Sequence, residues 1–241
     1  MLHVAFNAPQ PNFYGWVLLL GVLIGAVLWH RRWKDSDPTL FGIFIGGLVG
    51  AFLGAKLVYF LAEGWLHIGE PGFWIELGYG KTIVGALLGG YGGVEFTKSL
   101  IGYRKPTGDW FAFMVPCSIV FGRVGCLKHG CCLGKACPPD SWYALPDKAG
   151  IERWPAAPVE LIFNLMALAV LYQLRRFVWT RGQLFHLYLI AYGVFRFVHE
   201  FARDTPKVIG GVLSGYQIAS LLLVALAVWR FEVRRRHDAE S

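Results

Sequence analysis

Charge is what this sequence has least of. Lysine, arginine, aspartate and glutamate make up 16% of its 241 residues, while 55% are apolar and 16% aromatic. Soluble domains carry about a quarter charged residues. The apolar excess gathers into blocks of membrane-spanning length parted by short charged connectors, a pattern that a single water-soluble core has no reason to produce. Basic residues are missing ahead of the first block: Met1 to Pro11 holds none, and the block is followed by Arg31-Arg32, so no cleavable leader is expected. A nucleotide loop is also missing. Gly80-Lys81-Thr82 resembles the end of one, but Ile75 stands where the upstream glycine is required.

What is there reads as an all-α membrane protein, a single integral domain over 1–241. Seven spans are expected, at approximately 13–29, 40–62, 82–96, 109–127, 157–174, 183–201 and 211–229. Residues 71–80, with Phe73, Trp74, Ile75 and Tyr79, are too short to span and have the aromatic content of a re-entrant or interfacial piece. The net charge of +7 lies at the ends of these blocks, which makes it a topology signal and leaves no nucleic-acid partner expected. Placing the N-terminus outside and the C-terminus in the cytoplasm puts 13 basic residues inside and 7 outside.

Ionisable groups inside spans are costly and mark function by default. Here they are Lys56, Arg123 and the set Arg196, His199 and Glu200. Arg196, Glu200 and Arg203 are spaced by four and three, so on a helix they share one face near the outer end of span six. A structural ion pair between Arg196 and Glu200 accounts for that spacing as well as a binding site does. With Arg123 on another span at a similar depth, the balance moves to an anion site. Arginine stays charged at any depth and grips two phosphate oxygens at once, and a phosphate that needs a site inside a membrane is a phospholipid headgroup. The glycines of spans two and three, among them Gly46, Gly50, Gly54, Gly85, Gly89 and Gly93, fall at spacings that let helices approach closely.

Four of the five cysteines lie in one segment: Cys126, Cys131, Cys132 and Cys137, with His129 between the first two. Cys126 to Cys131 and Cys132 to Cys137 share one spacing. On the outer face a disulfide is permitted, and the spacing also allows a metal centre. Adjacent cysteines rarely bind one ion together, so no metal is expected, and packing or substrate contact is the favoured reading. Cys117, among apolar neighbours, is expected to be a small core residue.

Several segments together resemble the bacterial prolipoprotein diacylglyceryl transferase family. They are Tyr14-Gly15-Trp16 through Arg31-Arg32; Gly54-Ala55-Lys56-Leu57-Val58-Tyr59, with lysine for the family's arginine; Gly122-Arg123-Val124-Gly125 followed by Gly134; Arg153-Trp154-Pro155 with Glu160; Tyr192-Gly193-Val194-Phe195-Arg196 with Glu200 and Arg203; and Leu213-Ser214-Gly215-Tyr216-Gln217. The resemblance implies seven spans with the N-terminus outside, residence in the bacterial inner membrane with the site toward the outer face, and no cofactor. It also implies transfer of a diacylglyceryl group from phosphatidylglycerol to the cysteine thiol of a lipoprotein-precursor peptide, with release of glycerol phosphate. Arg123 and Arg196 would clamp the phosphate, Glu200 would orient Arg196, and Tyr192 and Arg203 would line the site. Gly122, Gly125, Gly134, Cys126, Cys131, Cys132 and Lys56 are the remaining substrate-side residues.

The sequence departs from the family on the acceptor side. Val84 stands where the family has a histidine, and Cys126, His129 and Cys131 stand where it has two asparagines and a glutamate. A thiol acceptor must lose its proton to become a good nucleophile, so His129, with Glu200 second, is the expected base. The branch is divergent and cysteine-rich, and its acceptor is left open. The alternative on the same fold is a membrane thiol oxidoreductase or metal-binding protein without transferase activity. A lipid-binding scaffold without turnover is the third.

Overall fold

The computed structural model describes Leu23, Val27 and residues 39–240, with side chains as far as Arg236. Apolar blocks of this length satisfy their backbone polar groups internally by coiling into helices. Seven α-helices follow among the described residues: α1 Thr39–Ala62, α2 Phe73–Tyr79, α3 Ile83–Ile101, α4 Gly108–His129, α5 Ala156–Leu174, α6 Leu184–His199 and α7 Gly215–Glu240. The long connector between α4 and α5 holds a small antiparallel ribbon, β1 Leu145–Pro146 and β2 Glu152–Arg153, with Leu145 opposite Arg153. Four helical stretches, Thr39–Ala62, Gly108–His129, Ala156–Leu174 and Gly215–Arg236, are long and apolar enough to cross a membrane.

The expected blocks 40–62, 109–127 and 157–174 become α1, α4 and α5 with ends moved by no more than two residues. The others move further. The block 82–96 runs on to Ile101 because its late charges are paired: Lys98 reaches Glu95 at 3.2 Å, and Gly102, in the left-handed region at φ 68°, ends the helix. The block 183–201 is helical only to His199, then tightens into a 3₁₀ turn over Glu200–Ala202. The last block starts late, at Gly215, where Ser214 and Gln217 form a reciprocal cap. The Gln217 amide donates to Ser214 Oγ at 3.3 Å, and the Ser214 amide donates to Gln217 Oε1 at 2.9 Å. The segment 71–80 forms α2, two turns of helix. Span 13–29 lies outside the described residues apart from Leu23 and Val27, both helical and exposed.

Glycine spacing decides how α1 and α3 meet. A methyl group on Gly50 would lie 2.3 Å from the carbonyl oxygen of Gly89, on Gly54 2.4 Å from that of Gly85, on Gly89 2.2 Å from that of Gly50, and on Gly93 2.2 Å from that of Gly46. The two backbones therefore touch, which only a face without side chains permits. At the other end of the bundle from Arg123 and Arg196, Asp109 accepts from the amides of Gly182 and Leu184 at 2.6 and 3.2 Å, and Arg230 on α7 pairs with Glu95 and donates to the Tyr91 hydroxyl at 2.9 Å on α3. Between these two ends the core is aromatic, with Tyr188 and Tyr192 of α6 buried and Phe163 of α5 stacked on Phe195 at 4.1 Å.

Gly89→Ala is expected to lower stability by at least about 3 kcal/mol, since the clash is with backbone that cannot turn away. Gly92→Ala, three residues on, meets nothing within 4 Å and is expected to be neutral or stabilising by about 0.5–1 kcal/mol. Thermal unfolding of both variants in detergent checks the contrast.

Candidate functional site

The site is built where one end of α4, α5 and α6 meet, because α4 and α6 run toward it and α5 runs away from it. Arg123 sits two turns before the end of α4, Glu160 one turn into α5, and Arg196 one turn before the end of α6. Glu160 is fully buried. Its Oε2 accepts from Arg123 Nη2 at 2.7 Å and lies 3.5 Å from Arg196 Nη1, while its Oε1 accepts from the Tyr192 hydroxyl at 2.6 Å. One turn on, Asn164 donates to the Glu160 carbonyl at 2.8 Å and accepts from the Tyr188 hydroxyl at 2.8 Å.

Glu200 forms a second node. Its Oε2 accepts from Arg196 Nη2 at 2.9 Å and lies 3.5 Å from Arg203 Nε; its Oε1 accepts from Thr205 Oγ1 at 2.8 Å. Three guanidinium groups thus face two carboxylates, leaving a net positive charge in a buried place. Donors are also left over: Nε of Arg123, Nε of Arg196 and Nη1 of Arg203 are buried and have no hydrogen-bond partner among the described residues. Burial and the neighbouring Arg196 guanidinium pull Arg203 below the usual arginine range. Such a site is short of one anion.

Arg123, Arg196 and Arg203 line one end of a cavity of about 1500 Å³, together with Thr205, Gly122, Cys126 and Cys132. The middle of its wall is largely apolar, from residues such as Phe44, Phe52, Leu87 and Met114, and Glu95, Lys98, Arg104, Arg230 and Arg234 line its other end. The arginine end and the apolar middle beside it fit an amphiphile with an anionic head.

The cysteine segment is shaped by the end of α4. Gly130 takes a left-handed φ of 65°, its amide donates to the Leu127 carbonyl at 3.2 Å, and the Cys131 amide donates to the Cys126 carbonyl at 3.1 Å. This is a Schellman cap, in which the third residue from the helix end and the second residue beyond it touch. Those two residues are Cys126 and Cys131. Cys132 is also left-handed, at φ 62°, and its sulfur lies 3.7 Å from that of Cys126. Hydrogen bonds from Cys126 and Cys131 hold the Cys132 thiol well below the ordinary thiol range. All five cysteines are free thiols. Cys137 does not approach Cys132; its sulfur faces the Lys135 carbonyl at 3.9 Å, so the equal spacing of the two pairs has no structural counterpart.

The connector is tied down behind this segment. Gly134 donates to the Trp154 carbonyl at 2.8 Å, and a side chain there would meet the Ala202 carbonyl at 2.4 Å. Arg153 Nε donates to Asp147 Oδ2 at 2.7 Å and its Nη1 to Asp204 Oδ2 at 3.2 Å, and Arg153 holds the Asp147 carboxyl below the usual carboxylate range.

Among the expected site residues, Arg123, Arg196, Glu200 and Arg203 are brought together, with Gly122, Cys126 and Cys132 beside them on the cavity wall. Gly125 is buried on the same helix. Four others stand away from the cavity wall. His129 is exposed at the last residue of α4. Lys56 donates to the carbonyls of Leu77, at 2.9 Å, and Gly78, at the end of α2. Tyr192 is buried behind Glu160, and Gly134 serves a close backbone approach. Glu160 is the residue that the pattern of ionisable groups left out. The rule that selected Arg123 selects it too, as the lone acid within block 157–174.

The family model for prolipoprotein diacylglyceryl transferase matches residues 3–232. The chain belongs to that family. Among its curated relatives is the phosphatidylglycerol-prolipoprotein diacylglyceryl transferase of Clostridium tetani, 30% identical over 92% of this chain and 92% of the relative. The enzyme of that name from Dehalococcoides mccartyi is 30% identical over 95% and 92%, and a Clostridium perfringens protein named as the second such transferase is 24% identical over 92% and 90%. Across a family match of this extent, the Arg123, Glu160 and Arg196 cluster sits in the body of the family domain.

Glu160→Gln keeps the shape of the hub and removes its charge. It is expected to cost about 3 kcal/mol, because Arg123 and Arg196 are left buried without their shared counter-ion. The midpoint of thermal unfolding in detergent measures it.

Proposed function

We propose that this protein is a diacylglyceryl transferase that takes its donor group from phosphatidylglycerol, or a related phospholipid, and passes it to a thiol, releasing glycerol phosphate. The observation that carries the reading is the set of guanidinium groups with buried, unused donors at one end of a cavity whose middle is apolar. Arg123 and Arg196 hold the phosphate that departs, and Arg203 adds a third cation where negative charge grows as the carbon–oxygen bond breaks. Glu160 and Glu200 fix the planes of the arginines, so little reorganisation is needed at the moment of reaction. The apolar wall takes the acyl chains. Gly122, Cys126, Cys131 and Cys132 form the acceptor side, where a lipoprotein-precursor peptide would present its cysteine.

The same reading places the protein in the bacterial inner membrane as one domain of seven spans, N-terminus outside. Helix order supports it: the ends of α4 and α6, the start of α5 and the start of α7 fall on one side, and Arg104, Arg175, Arg181 and Arg236 fall on the other. The geometry does not favour His129 as the base, since it is exposed at the helix end and away from the cavity wall. Glu200 is occupied by Arg196, Arg203 and Thr205, so activation of the acceptor falls to other groups.

Glycerol phosphate release from labelled phosphatidylglycerol, with and without a lipoprotein signal peptide carrying its cysteine, tests the function. Arg196→Ala is expected to lower peptide-dependent release at least about 100-fold while the protein still inserts and elutes as the wild type does. Full activity in that variant would sink the assigned mechanism. Phospholipid bound without any release would leave a lipid-binding scaffold.

A further inference from the structure

The sulfur atoms of Cys126, Cys131 and Cys132 all lie within 4.8 Å of one another. Two backbone features on the page produce that convergence. The Schellman cap at Gly130 sets Cys131 over Cys126, and the left-handed backbone at Cys132 reverses the divergence that adjacent side chains have in extended chain. Adjacent cysteines rarely bind one ion together, and this backbone is one that lets Cys131 and Cys132 do so.

The spacing fits a metal better than a cystine. A tetrahedral ion with metal–sulfur bonds of about 2.3 Å has sulfur–sulfur edges of about 3.8 Å, and Cys126 and Cys132 stand at 3.7 Å. A disulfide uses two sulfurs and leaves the third idle, whereas here all three lie within 4.8 Å of one another. Cationic groups surround them, with Arg123 Nη1 3.8 Å from the Cys126 sulfur and Arg203 on the same cavity wall, which suits a cluster that becomes anionic when three thiolates bind a divalent ion. Cys126 and Cys132 line the cavity, so a fourth coordination position would open toward the phospholipid.

We propose that Cys126, Cys131 and Cys132 hold one thiophilic d¹⁰ cation, of which Zn²⁺ is the type, and that its fourth position takes the acceptor thiol of the transfer reaction. The second half rests on the transferase reading given above; the first does not. Coordination strips the acceptor of its S–H proton, which passes to water, and leaves a metal-bound thiolate. Its sulfur forms a bond to the glyceryl carbon as that carbon's bond to the phosphate oxygen breaks, and the electron pair departs on glycerol phosphate held by the arginines. The ion supplies what His129 is too exposed to supply and what Val84, buried in the core, does not.

The test uses the full chain, purified in detergent under reducing conditions, incubated with Zn²⁺ and desalted. About one zinc per chain is expected, falling below about 0.2 in Cys126→Ser, Cys131→Ser and Cys132→Ser and staying near one in Cys117→Ser and Cys137→Ser. Cys132→His, which keeps a ligand, is expected to retain the ion and to change the spectrum of the Co²⁺-loaded protein, so that loss of metal is separated from loss of fold. Adding a cysteine-bearing signal peptide to Co²⁺-loaded wild type is expected to shift its thiolate-to-metal absorption. Zinc no higher in the wild type than in Cys132→Ser overturns the site, and so does a disulfide between any two of the three cysteines in protein from untreated membranes. These readouts need no turnover. Zinc bound without glycerol phosphate release would therefore remove the acceptor role and the transferase reading while leaving the metal site in place.

Discussion

The carboxylate of Glu160 holds the site together. It comes from the start of α5 and meets guanidinium groups from α4 and α6, with the Tyr192 hydroxyl on its other oxygen. A buried cation without a counter-ion costs several kcal/mol, and two of them side by side would repel as well. One shared acid solves both problems while leaving each arginine with donors to spare. With Glu200 as the second acid and Arg203 as the third cation, every arginine has a carboxylate neighbour and the cluster still keeps one net positive charge with which to take an anion.

That requirement reaches into the fold. For Arg123, Glu160 and Arg196 to share one depth, α4 and α6 must run one way and α5 the other, with their ends held level. The level is set at both ends of the bundle. Asp109 ties the start of α4 to the start of α6 through the amides of Gly182 and Leu184, and the Ser214 and Gln217 cap fixes α7 against α6 through the Phe197 carbonyl, which accepts from Gln217 Nε2 at 3.2 Å. The backbone contact of α1 with α3 through their glycines then leaves the cavity between that pair and the charged cluster.

Much of this is written in periodicities that a sequence displays. The apolar blocks become α1, α4 and α5 almost to the residue, and the spacing of Arg196, Glu200 and Arg203 forecasts the node they form, because each depends on local geometry alone. Other features depend on contacts between segments far apart. Lys56 looks like a buried cation aimed at a ligand, yet it caps α2, whose existence as two helical turns no periodicity over seven residues reveals. Block 183–201 stops short at His199, and the turn that follows is held from the distant connector, whose Lys135 amide donates to the Ala202 carbonyl at 3.0 Å. Glu160 was visible as a lone acid in a span, but its importance lies in what α4 and α6 bring to it.

The cysteine segment shows how a single helix end separates the two halves of the chemistry. In the proposed reaction, departure of a phosphate needs fixed positive charge, which the arginines would provide with no dependence on what attacks. Activation of a thiol needs only that its proton be removed, and a general base or a metal ion does that equally well. The two demands meet at α4, where Arg123 faces Glu160 and, one turn later, Cys126 begins a cap that gathers three sulfurs. Because Arg123 touches both Glu160 and the Cys126 sulfur, a change in charge on the thiols is felt by the arginine cluster. In the proposed reaction an acceptor bound there as a thiolate would add negative charge beside Arg123 and draw that guanidinium toward the sulfurs, so arrival of the acceptor and departure of the phosphate would share one cation.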